Sequence, residues 1–414
     1  MKYIDTILLA TLLTAPGFAQ LRITCFDVGQ GNGAYLQSPS GMNAIIDAGP
    51  SNTVGRRMWA FMRDSMHVKH LDYTFLSHYH LDHIDGMDRI IDSVQVYPDS
   101  FRIGAFDRGY SYSTAAYDEY VAAAGAKRYT ATIGENFDFG NGVNARCVCV
   151  NGKTLSGDSV TMNSEENNNS LGLFITYGTF KMVFATDIAG YNSGSYKDVE
   201  SILAPDIGPV SVMIVNHHGS ATSSNPTWVS TLNPKASIIS IGQNNTYPHP
   251  TQEAIDRLCA NSSTYIYQTE NTPTGGGTIP AGRGRVTNSN IHILVGDTSF
   301  TVAGDHYSLP PMGVAANPVS AGQQFEVGLP YPNPSRGQTT LSYQLPHTAN
   351  VNISLYNVAG QLVKRLSNGT QQPGRHIAQW DGRNETGQLA PSGIYMVRCR
   401  GGTLSRTLKI VLVR

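Results

Sequence analysis

Three imidazoles and two carboxylates fall within nine residues in the run Ser77-His-Tyr-His-Leu-Asp-His-Ile-Asp-Gly86, directly after the apolar stretch Tyr73-Thr-Phe-Leu76. If that stretch is a buried strand, its end carries His78 and His80 on one side at a two-residue period. Asp82 and His83 then open the helix that follows. Two metal ions can share a loop of this form. Histidine and carboxylate are ligands that borderline zinc accepts, and a catalytic zinc keeps one position open for water. A lone histidine pair is more often a surface or satisfied core feature, but that reading does not account for so dense a cluster.

The run matches HxHxDHxxG through His78, His80, Asp82, His83 and Gly86. In this it resembles the metallo-β-lactamase superfamily. Phe26-Asp-Val-Gly-Gln-Gly31, Ala44-Ile-Ile-Asp-Ala-Gly49, Glu166-Asn-Asn-Asn-Ser-Leu171, Ala185-Thr-Asp187, His217-His-Gly-Ser220 and Tyr247-Pro-His-Pro250 follow in order. That set is similar to the ComEC type of the superfamily, the nuclease-like domain of the DNA-uptake channel of competent bacteria and its secreted relatives. The resemblance covers roughly residues 21 to 303 and implies an α/β fold, the αββα sandwich.

A chain of 414 residues is long enough for two or three domains. Charge divides it unevenly. From Glu326 to Arg414 there are ten Lys and Arg against three Asp and Glu, and the rest of the chain holds 19 against 27. The first part is therefore acidic. Proteins that hold long DNA nonspecifically normally show a basic track, so a small or short anionic substrate rivals duplex DNA here.

Lys2, an apolar core from Ile7 to Leu13, and Ala15-Pro-Gly-Phe-Ala19 predict an export signal over residues 1–19, cleaved before Gln20. The apolar run is too short for a permanent membrane span, and no stable membrane insertion is expected elsewhere. Five cysteines are few and odd in number for an exported protein, which argues against a disulfide scaffold. Cys147 and Cys149 lie in the strand-like Ala145-Arg-Cys-Val-Cys-Val150, which predicts that both face one side and pack in a core.

Helical patches are expected near Ile84–Ser93 and Gln252–Cys259, and the glycine-rich Thr272–Gly284 segment reads as a hairpin connection, since no phosphate-loop context surrounds it. The first domain is expected over residues 20–305, closing with strands at 290–295 and 299–302. A Pro-, Gly- and Ala-rich linker follows over 306–325. Residues 326–414 read as a small all-β module, with strands at 340–344, 351–356 and 393–398. Tyr331-Pro-Asn-Pro-Ser335, Tyr356-Asn-Val-Ala-Gly360, Trp380-Asp-Gly382, Pro391-Ser-Gly-Ile-Tyr395 and Lys409–Arg414 resemble the C-terminal sorting domain of the type IX secretion system. This is an Ig-like sandwich similar to the flagellar hook-capping fold. The resemblance implies that the secretion machinery is a partner and that the destination is extracellular or the cell surface. A plain Ig-like binding module is the alternative.

The superfamily resemblance also implies a ligand set. His78 and His80 would hold the first metal, Asp82 and His83 the second, and Asp187 both. One of His217 and His218, with His218 favoured, would complete the second site, and the other would bind substrate or orient its neighbour. Many members supply a third histidine to the first metal, but here Glu166 stands at that place, either as a carboxylate ligand or as a solvated loop residue. Asn32 is a second departure, standing where relatives carry Asp. Asp47 resembles the family's buried carboxylate that steadies the metal loop, and Asp27 supports the site. Asn169 and Ser220 are candidates for substrate binding, although turn capping is the commoner use of such a serine. His249 is the candidate for substrate binding or for donating a proton.

The expected cofactors are two divalent metal ions, zinc or manganese, activating water for attack on phosphorus or a carbonyl. The leading expectation is a secreted phosphodiesterase or nuclease acting on DNA, RNA or another phosphodiester. A lactamase- or lactonase-like hydrolase of carboxylic substrates is the alternative, and a noncatalytic surface binding protein is the third reading.

Overall fold

Phe180, Met182 and Phe184 face one layer from their strand while Val183 and Ala185 face another. This period-two division marks a strand covered on both sides. It recurs in Asn43–Ala48, where Ala44 and Ile46 point to the same inner layer and Ile45 away from it. The computed structural model describes residues 20–95, 101–161, 165–310 and most of 326–413. The expected export signal and residues 311–325 of the expected linker lie outside the described residues.

Such strands build two nine-stranded sheets. The first runs from edge to edge through Asp305–Ser308, Ser299–Val302, Ile291–Val295, Leu21–Cys25, Gly33–Gln37, Asn43–Ala48, Leu71–Phe75, Phe101–Asp107 and Arg128–Thr130. It is antiparallel up to Asn43–Ala48 and parallel beyond. The second runs through Gly284–Val286, Tyr265–Gln268, Ala236–Ile239, Val212–Ile214, Phe180–Phe184, Gly172–Tyr177, Val143–Val150 and Asn136–Asp138, with Lys153–Thr154 beside Val143–Val150. Its parallel half is the one from Gly284–Val286 to Phe180–Phe184.

The inner faces of the two sheets share one apolar core that includes Phe75, Phe137, Phe184 and Ile238. Helices Asn52–Ser65, Met87–Gln95 and Ala115–Ala124 cover the outer face of the first sheet, and Glu200–Ile207, Pro226–Leu232 and Gln252–Cys259 that of the second. The first of these helices is capped by the Ser51 side chain on the Val54 amide and buries Met58, Trp59 and Met62. The result is the αββα sandwich.

Three local expectations need correction. The helix expected over 84–93 is broken at Asp85–Gly86, giving Leu81–Ile84 and Met87–Gln95. The break lets two backbones touch, because a Cβ at Gly86 would lie 2.2 Å from the Ala48 carbonyl oxygen and 2.8 Å from the Gly55 Cα. Gly86→Ala is therefore expected to destabilise the fold by about 2 kcal/mol or more, seen as a lowered urea midpoint. A loss below about 0.5 kcal/mol would contradict the close approach.

The other two corrections concern the domain's end and its cysteines. The first domain does not close at 305, since Asp305–Ser308 adds an edge strand and Leu309 packs into the inter-sheet core. Cys147 and Cys149 do not share a face. A register shift opposite Gly172 and Leu173 turns the strand, so Cys147 lies in the inter-sheet core and Cys149 in the outer one.

From 326 onward, strands form a sheet of Glu326–Val327, Thr339–Leu345 and Gly374–Trp380, and a second of Leu362–Gln371, Ala349–Asn357, Gly393–Gly401 and Leu404–Leu412. Their shared core holds Trp380, whose ring lies 4.8 Å from that of Tyr395 and whose Nε1 donates to the Arg383 carbonyl. The Tyr395 hydroxyl donates to the Pro391 carbonyl. This is an all-β, Ig-like sandwich.

Candidate metal centre

The cluster forms where the parallel halves of the two sheets end. Ser77–His83 follows the strand Leu71–Phe75, Asp187 follows Phe180–Phe184, and His218 follows Val212–Ile214. The C-terminal ends of parallel strands are where open α/β sheets gather ligands. Four residues here hold left-handed backbone without being glycine: Asp47 (φ 55°), Thr186 (φ 53°), His217 (φ 47°) and His218 (φ 53°). Such backbone persists only where its surroundings over-determine it.

Those surroundings are visible around the 217–218 turn. Buried Glu200 accepts from Asn216 Nδ2 (2.7 Å), the Ser224 amide (2.6 Å) and the Asn225 amide (2.7 Å). Arg257 binds the carbonyls of Ala221, Ser223 and Ser224. Burial pushes the Glu200 carboxyl up to about 7, against the pull of its three donors. Glu200→Ala would leave those donors buried and unpaired, so a loss of roughly 3 kcal/mol is expected, accompanied by weaker zinc binding because His218 loses its support. Unaltered stability in urea would contradict this.

The ligand atoms converge. His83 Nε2 lies 3.3 Å from Asp187 Oδ2 and 3.8 Å from Asp82 Oδ2, and His218 Nε2 lies 3.3 Å from Asp82 Oδ2 and 3.6 Å from Asp187 Oδ2. On the other side, His78 Nε2 is 3.2 Å from His80 Nδ1 and 3.9 Å from Asp187 Oδ2. Tetrahedral zinc, with ligands at about 2.0–2.1 Å, sets its ligand atoms about 3.3–3.4 Å apart. Buried His83 Nε2, His218 Nε2 and Asp187 Oδ1 have no hydrogen-bond partner. Two overlapping groups, His78/His83/Asp187 and Asp82/His83/His218, are thus suited to a cation.

The rings are aimed from behind. Asp47 accepts from His83 Nδ1 (2.8 Å), the Ser77 amide (2.8 Å) and the Ser77 hydroxyl (2.8 Å), while His218 Nδ1 bonds the Ser240 carbonyl (2.8 Å). Both bonds leave Nε2 facing the cluster, as groups behind metal-binding imidazoles commonly do. The charges also call for a cation. Burial works to lower His83, but Asp187, Asp82 and Asp47 outweigh it and raise it well above the ordinary range. Burial works to raise Asp187, yet His83 and His218 hold it well below.

The remaining sequence candidates divide. Of the histidine pair, His218 joins the ligand atoms, while His217 turns its Nε2 to Asn167 Nδ2 (3.2 Å). Glu166 does not face the cluster: Arg108 grips both of its oxygens (2.7 and 2.6 Å), and its Oε1 also accepts from the Tyr79 amide (3.0 Å). The buried guanidinium outcompetes a ligand role, which corrects both readings of Glu166. Burial, with His217 and His218 nearby, pushes His249 down to about 4. Its ring lies 5.6 Å from that of His217, which keeps it beside the cluster.

Ser220 bonds the Thr222 hydroxyl (3.0 Å) within its own turn, and Asn169 donates to the Glu165 carbonyl (3.3 Å). Asp27 is raised to about 6 by burial and its bond with Glu270. Its loop abuts the metal loop, with the Asn32 amide on the Asp82 carbonyl (3.2 Å). Gly31, at φ 131°, has no room for a Cβ, which would lie 2.1 Å from that same oxygen. Arg108, Glu200 and Asn167 went unread in the sequence. Only Asn167 carried a signal, its place in Glu166–Leu171.

Residues 42–238 match the family model described as "Beta-lactamase superfamily domain", and residues 333–403 match that of the "FlgD Ig-like domain". ComE operon protein 3 of Bacillus subtilis (strain 168) is 25% identical over 258 residues, which cover 57% of this chain. The chain spans only 30% of that curated relative. Among solved structures, Zn(2+)-bound PqqB from Methylobacterium extorquens is 11% identical, with 62% of this chain and 98% of that one covered and a TM-score of 0.35. PorZ, a surface component of the type IX secretion system of Porphyromonas gingivalis, is 16% identical, with 28% of this chain and 15% of that one covered and a TM-score of 0.17.

Proposed function

We propose that this chain, a hydrolase of the metallo-β-lactamase superfamily by its first domain, is an exported dinuclear metal-dependent phosphodiesterase. The observation that carries this reading is the overlap of the two candidate groups, His78/His83/Asp187 and Asp82/His83/His218. Asp187 Oδ2 lies 3.9, 3.3 and 3.6 Å from the Nε2 atoms of His78, His83 and His218, and His80 Nδ1 lies 3.2 Å from His78 Nε2. The first group has few protein ligands, because Arg108 holds Glu166 away, and this leaves room for phosphoryl oxygens.

His78, His83, Asp187, Asp82 and His218 would hold two divalent ions, zinc or manganese, which would lower the pKa of water and offset charge developing on the substrate's oxygens. The chain's own part is orientation. Asp47 and the Ser240 carbonyl fix His83 and His218, and Asn32 ties the loop from Phe26 to the Asp82 backbone. His217 and His249, ring to ring at 5.6 Å, stand beside the centre where they can hydrogen-bond the substrate.

The C-terminal Ig-like domain serves as the address for type IX secretion, after the first 19 residues have directed export across the inner membrane. Among the described residues no helix is long and apolar enough to cross a membrane. Hydrolysis of bis(p-nitrophenyl) phosphate by the purified chain, with zinc or manganese and with chelator, tests the catalytic proposal. Turnover that chelation abolishes is expected, with none on the lactam nitrocefin. Nitrocefin turnover without phosphodiester turnover would instead establish the carboxylic-substrate alternative.

A further inference from the structure

Beyond the ligand His218, a continuous series of rings leads outward from the centre. His217 lies 6.4 Å from His218, Tyr196 lies 5.7 Å and His249 5.6 Å from His217, and Tyr247 stacks on His249 at 5.7 Å with an interplanar angle of 13°. The outermost ring is open, since Tyr247 is 64% exposed. Behind it, the buried atoms His217 Nδ1, His249 Nδ1 and Asn167 Oδ1 have no hydrogen-bond partner. Flat faces and unspent polar atoms therefore share one rim.

The rim is tied to the turn that carries His218. The Thr251 amide donates to the Gly219 carbonyl (2.8 Å), which joins the Tyr247–Pro250 loop to the turn that carries His218. On its other side, Asn245 accepts from the Tyr247 amide and donates to Gln30. A stacked platform of this kind suits a π-face, and base stacking on aromatic side chains tolerates any base. The acidic balance of residues 1–325, 19 Lys and Arg against 27 Asp and Glu, does not suit a long duplex held by its backbone.

We infer that Tyr247 and His249 form a base-stacking subsite, so that the substrate is a nucleotide phosphodiester, single-stranded or short, with one base lying against Tyr247 beside the scissile phosphate. His217, His249 and Asn167 meet the polar edge of that base or its sugar. The inference rests on the phosphodiesterase reading for its catalytic consequence, but not for binding.

The test uses the full chain with zinc or manganese and compares kcat/KM for thymidine 5′-(p-nitrophenyl phosphate) and methyl p-nitrophenyl phosphate. The expected result is a preference for the nucleoside ester that Tyr247→Ala reduces by about tenfold, mainly through KM, and that Tyr247→Phe keeps. A preference that Tyr247→Ala leaves intact, or no preference at all, would overturn the subsite.

Calorimetric titration with thymidine 5′-monophosphate and with methyl phosphate separates the two claims. Tighter nucleotide binding that Tyr247→Ala removes would uphold the subsite even if neither ester were hydrolysed, a result that would count against the phosphodiesterase alone. Equal binding of the two ligands would overturn the subsite whatever the turnover.

Discussion

Asp187→Ala is expected to lower phosphodiester kcat/KM by about 10³-fold or more, a loss of about 4 kcal/mol of transition-state stabilisation. The side chain sits where both groups of ligands meet, with Oδ2 at 3.3, 3.6 and 3.9 Å from the Nε2 atoms of His83, His218 and His78. Its removal takes the carboxylate from the group it forms with His78 and His83 and from beside His218. Asp187→Asn, which keeps the shape and removes the charge, is expected to fall nearly as far. Steady-state kinetics with saturating zinc would check this, and a loss below about tenfold in either variant would remove Asp187 from the centre.

Arg108→Met is expected to cost about 3–5 kcal/mol of stability, because it strands the Glu166 carboxylate in a site where both partners are only 4% exposed. Arg108 also lies 4.3 Å from the centroid of the Tyr79 ring, so packing is lost with the charge. The double replacement Arg108→Met with Glu166→Met removes both charges and is expected to recover most of that loss. It should not recover function. Glu166 holds the Tyr79 amide, which lies between His78 and His80, so metal affinity on that side should fall about 10- to 100-fold in the single and the double variant. Urea denaturation and zinc titration read the two effects separately. A single replacement costing under about 1 kcal/mol would contradict a buried pair.

The sequence carried the site unevenly. The strand and the His78–His83 loop were legible because the spacing itself encodes a strand end followed by a helix start. Asp187, His218 and Asp47 lie far from that loop in the chain, and only resemblance joined them to it. Nothing in the sequence links Arg108 to Glu166 across 58 residues, so the loop carboxylate read as a ligand or as solvated, when the fold had already committed it to an ion pair.

Elements followed the same logic. Gln252–Cys259 announced itself by its Thr251 cap and apolar face. Glu200–Ile207 contains Pro205, and Ala115–Ala124 has too many small residues to show a clear face, so tertiary packing rather than local pattern defines them. Cys147 and Cys149 pack in cores as expected, but their shared face failed for a related reason: alternation along Val143–Val150 is interrupted by an irregularity set by its neighbour strand, which no pattern within the strand reveals.

Metal content by plasma mass spectrometry, after zinc loading and removal of excess, decides whether the centre is dinuclear. Two ions per chain are expected in the wild type, with loss of bound metal in Asp187→Ala and in His218→Ala. A wild-type chain that retains no stoichiometric metal, or variants that keep the full two ions, would contradict a dinuclear centre built from these residues.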